Sequence, residues 1–118
     1  MIRVSLEKDA QGLIRRCEAK GHSDWAEEGR DIVCAGASIL MTTCVNSLEA
    51  VCGIIPVVET NSSGHMAFHL PDGLTQAQRH DAAVLMGALR QGLLDLSDAY
   101  PKDVKLAYMN GGNHRDQA

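Results

Sequence analysis

Residues 21–38 read GHSDWAEEGRDIVCAGAS, and the point where this stretch turns from loop into helix decides the fold. Gly21 to Arg30 is polar and acidic, carries glycines at 21 and 29, and has no apolar period of two or of 3.6. Such a segment reads as a surface loop. Asp31 then stands immediately before an apolar run with helical spacing, the position of an N-cap. With Asp31 as N-cap, Cys34 is the third helical residue, and the aspartate pins the turn that carries it.

Outward from this junction the chain falls into short elements. Upstream, Ile2, Val4 and Leu6 alternate with Arg3, Ser5 and Glu7, a half-buried strand. A turn at Asp9–Gly12 leads into a second strand, about Leu13 to Lys20, completing a hairpin. Downstream, Ile32 to Cys52 predicts a helix closed by Gly53, with Ile39, Leu40, Val45, Leu48 and Val51 as its apolar positions and Cys44 and Cys52 as core or near-core thiols. Ile54 to Glu59 contains Pro56 and so predicts an edge strand. A turn over Thr60–Gly64 and the alternating His65–Leu70 make a second hairpin. Thr75 and Gln78 form a capping box before the stripe Ala82, Leu85, Leu89, Leu93 and Leu96, a helix ending at Tyr100-Pro101. Val104 to Met109 gives a last strand, and residues 110–118 a polar, fraying tail. The order ββαββαβ predicts an α+β two-layer sandwich, two helices on a mainly antiparallel sheet.

Composition narrows the function classes. A chain of 118 residues supports one domain and one core, here 1–118. Net charge is -4, and no Lys/Arg cluster exists to bind a phosphate backbone, so direct nucleic-acid binding is not expected. No charged n-region with an apolar h-region follows Met1, and no apolar run approaches the eighteen residues of a membrane span. The four cysteines at 17, 34, 44 and 52 have neither CxxC nor zinc-site spacing. His65 and His69 on one strand lie roughly 13 Å apart, too far to share an ion. They read as exposed, and neither a metal nor a cofactor is expected. A cytoplasmic protein with reduced thiols fits these features.

The chemistry concentrates at Cys34. A thiol in the first turn of a helix feels the positive end of the helix dipole, which favours thiolate. Ser38 projects from the same helical face one turn on. His22, twelve residues before the cysteine, can approach it as general base if the loop folds back. On base rates a cysteine near a helix start is an inert small hydrophobe. The wording of the stretch outweighs that reading. Gly21-His22, then Trp25-Ala26, then Gly29-x-Asp31-Ile32-Val33-Cys34-Ala35, then Ser38, resembles the signature of the Prp family of ribosomal-processing cysteine proteases. Ser23 and Trp25 stand where the family commonly has another small residue and a tyrosine, and they keep the character of those positions.

The resemblance implies a Cys34/His22 catalytic dyad, with Asp31 and Ser38 in support and Gly21, Trp25 and Gly29 in a loop that contacts substrate. It implies a homodimer as well. The implied substrate is the N-terminal extension of a large-subunit ribosomal protein, the one numbered twenty-seven, cut after an aromatic residue. The competing expectation is a non-catalytic, ribosome-associated binding module with Cys34 buried. A redox-sensing thiol is weakened because no resolving cysteine lies near Cys34.

Overall fold

The alternation at the start of the chain becomes β1 (Ile2–Lys8), with Ile2, Val4 and Leu6 buried and the intervening side chains turned to the other face. In a computed structural model of the chain, which describes residues 1–21, 30–60 and 65–110, it is followed by β2 (Ile14–Lys20), α1 (Arg30–Cys52), β3 (Val57–Thr60), β4 (His65–His69), α2 (Gln76–Ala99) and β5 (Val104–Asn110). This is the ββαββαβ order the sequence predicts.

The sheet runs β3-β4-β2-β1-β5. Three of its four pairings are antiparallel, and β1 with β5 is parallel. The Pro56-led strand β3 is at an edge, as expected of a segment whose proline cannot donate to a ladder. A register shift at Glu7/Lys8 lets Ile14 and Cys17 of β2 both reach the core although they differ in parity, and it leaves Arg15 and Arg16 outside it.

Both helices supply one buried stripe to a common core. In α1 it is Val33, Ala37, Met41, Cys44 and Leu48; in α2 it is Ala82, Met86, Leu89 and Leu93. This revises the apolar face expected of α1. Leu48 is buried and Leu40 and Val45 pack at its margin, but Ile39 and Val51 are 61% and 74% exposed. The helices lie antiparallel: a Cβ at Gly36 would touch Leu96, one at Gly92 would press on Leu40, and the Cys44 Sγ–H donates to the Leu85 carbonyl at 3.8 Å. Small residues on each helix let the other approach.

The caps follow local rules. Gly53 takes φ +67, its N–H donates to the Glu49 carbonyl, and the Ile54 N–H donates to the Leu48 carbonyl. At α2 the Thr75 hydroxyl accepts from the Gln78 N–H at 3.1 Å while the Gln78 carboxamide accepts from the Thr75 N–H at 2.9 Å. Several boundaries differ from expectation, and β3 begins at Val57 and not at Ile54. Helix α1 begins at Arg30, so Asp31 is inside its first turn and is not the N-cap; Cys34 is the fifth helical residue. Asn110 belongs to β5, and the remainder of the expected tail lies outside the described residues. Ile32–Cys52, with 21 residues and a mean hydropathy of 1.4, is also long and apolar enough to cross a membrane by composition, which a search for an unbroken apolar run overlooks. Val33, Ala37, Met41, Cys44 and Leu48 of this helix are nonetheless part of the domain's core.

Candidate active site

The site is framed by two fixed ends. The first is Gly21, directly after β2. Its φ is +90, and a Cβ there would run into the Met1 carbonyl oxygen, so conformation and space both require glycine. The second is the first turn of α1, from Arg30. Cys34 follows at the start of the second turn, half-buried against the core edge, and Ser38 is exposed one turn further along the same continuous helix. The structure thus sets Cys34 and Ser38 a turn apart on one element and places Gly21 at the strand end. His22, Trp25 and Gly29 lie outside the described residues, and Asp31 is described in its backbone only.

Burial separates the four thiols, none of which is in a disulfide. Cys17 is enclosed in the sheet face, and burial first of all pushes its thiol up to about 12. Burial likewise pushes Cys44 up to about 11. Neither can present a thiolate near neutral pH. Cys52, half-buried, sits in the last turn of α1, about 27 Å from Cys34 at 1.5 Å per residue. Cys34 is half-buried near the start of α1.

The outer face of the sheet holds a charged network that was not legible in the sequence. Arg16 is its hub. Its guanidinium donates to both Glu59 oxygens at 3.1 and 3.0 Å, to Glu7 at 3.1 Å and to Glu18 at 3.2 Å. His69 Nδ1 lies 2.6 Å from Glu59, and His65 Nε2 pairs with Glu18. The two histidines are therefore half-buried hydrogen-bond partners of carboxylates, not the exposed strand residues the sequence suggests. Strand pairing explains this, because Glu18 and Glu59 both flank Ala67 between the histidines. Ala67 is 0% exposed beneath the network. Hydrogen bonds from Arg16, then His69, hold the Glu59 carboxyl down at about 2. The bond to His65 leads in lowering Glu18.

A cavity of about 320 Å³ opens beside this network, lined among others by Asp9, Arg15, Arg16, His69 and Asp72. It lies at the other end of β2 from Gly21, about 20 Å away over six strand residues. Its charges already satisfy one another: Arg15 donates to Asp72 and to the Leu70 carbonyl, and Arg79 donates to Asp9 at 2.9 Å. The surroundings of Cys34, not this cavity, are the candidate site. Among the described residues no group of three or more His, Cys, Asp or Glu is placed to hold a metal ion.

The profile of the family described as cysteine protease Prp matches residues 1–105. The chain is similar to the ribosomal processing cysteine protease Prp of Bacillus subtilis, 25% identical over 107 residues that cover 90% of this chain and 96% of that protein. Two solved structures of the Staphylococcus aureus ribosomal processing protease Prp share the fold. One, in complex with a substrate peptide, has a TM-score of 0.80 at 25% identity over 92% of this chain and 99% of the other. The second, with a covalently linked product peptide, has a TM-score of 0.78 at 26% identity over the same shares.

Proposed function

This chain belongs to the Prp family of cysteine proteases, and from that premise we propose that it is a thiol endopeptidase whose Cys34 and His22 form the catalytic dyad. The observation that carries the reading is the placement of Cys34. It is the thiol at the start of α1, on the helix entered from the segment that holds His22, while Cys17 and Cys44 are held protonated in the core.

In the proposed reaction the Cys34 proton passes to His22 as sulfur attacks the scissile carbonyl carbon. The tetrahedral adduct collapses with breakage of the C–N bond, and His22 returns the proton to the departing amine. A water deprotonated by His22 then hydrolyses the thioester. The N–H groups of the first helical turn have no intrahelical acceptors, and they are the proposed oxyanion donors. Asp31 is proposed to hold that turn, and Ser38 to contact substrate. Gly21, Trp25 and Gly29 are proposed as the loop positions that order over the peptide. The relatives' name and their peptide complexes support a peptide substrate. We propose that it is the N-terminal extension of the large-subunit ribosomal protein numbered twenty-seven, processed in the cytoplasm by a homodimer.

Mass spectrometry of a peptide bearing that extension, incubated with wild type, Cys34→Ala and His22→Ala, tests this. A single cut after the aromatic residue, lost in both variants, is expected. No cut by any of them, with folding intact by circular dichroism, would favour the binding module. Iodoacetamide near neutral pH should alkylate Cys34 ahead of Cys17 and Cys44, which react only on unfolding.

A further inference from the structure

Helix α2 covers one flank of α1, through Gly36, Leu40 and Cys44. At 100° per residue, Cys34, Val45 and Cys52 fall on the opposite side of the buried stripe. All three are half-buried, against the core but not enclosed by it. Helix α2 packs on β5 and β2, toward the β5 edge of the sheet and away from β3. The helical layer then stops short of β3. Val58 shows where: it is paired with buried Phe68 and so faces the helices, yet it is 50% exposed. Met66, paired with Ala19 at the Gly21 end of the sheet, is half-buried beside it. At the far end Ile55 is 66% exposed.

Resting on the protease reading, we propose that this strip, from Cys34 past Met66, Val45 and Val58 to Ile55, is the docking surface for an extended, apolar segment of the peptide substrate. It is continuous with the nucleophile. Between Asp31 and Glu49 helix α1 has no charged residue, so its flank offers no charge to a ligand. Its length, about 27 Å, suits about eight extended residues. The outer edge of β3 pairs with no strand among the described residues and presents backbone N–H and C=O groups that an extended chain can use.

Cleavage kinetics of the same ribosomal-protein peptide test the surface. Val58→Lys, at an edge position that tolerates lysine, should raise KM about tenfold with little change in kcat, as loss of one apolar pocket contact does. Val84→Lys on α2, as exposed but off the strip, should leave KM unchanged. In Cys34→Ala the amides of Val57, Val58 and Glu59 should exchange more slowly once peptide is added. An unchanged KM in folded Val58→Lys overturns the proposal. So does an unchanged KM with a shift in sedimentation, which assigns the strip to a second copy. If wild type cuts nothing, the protease reading fails separately, and fluorescence anisotropy with Cys34→Ala decides the surface. Peptide binding weakened by Val58→Lys upholds it; binding that is absent or indifferent to the substitution removes it.

Discussion

At Gly21 a single missing side chain decides how the chain leaves β2. Its positive φ and its contact with the Met1 carbonyl act together, whereas Gly12, at φ +88, has open space where its Cβ would be. The two glycines therefore separate backbone strain from collision. Gly12→Ala should cost about 1 kcal/mol, the left-handed penalty alone. Gly21→Ala should cost about 1–3 kcal/mol and also lower peptide cleavage, because the strand end must shift. Urea midpoints at unchanged m-value measure the first quantity, and kcat/KM the second. Were the two substitutions equal in stability and activity, the close approach at Met1 would have no consequence. Single residues were also the most legible scale of the sequence. Thr75 with Gln78, Gly53 after α1 and the alternation in β1 all obey rules that act within a few residues, and all were readable in advance.

Among the elements, the buried face of α1 was misread. Apolar content points to Ile39 and Val51, yet the structure buries Val33, Ala37 and Met41 and exposes both of those residues, while Cys44 is buried as expected. What decides the face is the flank that α2 occupies, fixed by Gly36 and Gly92, and α2 begins 24 residues after α1 ends. No periodicity within α1 encodes it. The helix pair itself is testable. An added methyl at Gly92 would lie 2.7 Å from the Leu40 Cδ2 atom, so Gly92→Ala sets a gain of up to about 1 kcal/mol in helix propensity against a clash. Combining it with Leu40→Ala removes the clash. The double-mutant cycle should show a coupling of about 0.5–3 kcal/mol, measured by chemical denaturation. Strict additivity would mean the helices do not meet there. The candidate nucleophile was legible because the wording around Cys34 lies in one contiguous stretch. The Arg16 network was not, because its members come from four strands brought together only by pairing.

Across the whole molecule, that network ties β1, β2 and β3 through one guanidinium and β4 through His65 and His69, and it makes the fold sensitive to acid. The Glu59 carboxyl is held at about 2 against an ordinary value near 4.5, and Glu18 and Asp9 are also lowered. For Asp9 burial opposes the shift, and the hydrogen bonds from Arg79, Gln11 and Leu13 outweigh it. A group whose folded pKa is depressed stabilises the protein fully above its unfolded pKa, and loses that contribution as pH falls toward the folded one. Stability should therefore be level from neutrality to about pH 5 and fall between about pH 4.5 and 2. Glu59→Gln should lower stability at pH 7 and flatten that acid limb, read from urea midpoints against pH. An acid limb of the same steepness in the variant would show that the network does not stabilise the sheet.

The parallel pairing of β1 with β5 has a consequence for how such a chain is made. Ile2 and Val104 are register partners about a hundred residues apart, and the Ile2 N–H donates to the Asp103 carbonyl at 2.7 Å. A ribosome releases β1 early and β5 only after everything between them. Until then β1 has one bare edge and the sheet stops at four strands. The nascent chain thus carries Cys34 and all of α1 well before its sheet can close, and the domain is completed only once Val104 has emerged and zipped onto Ile2.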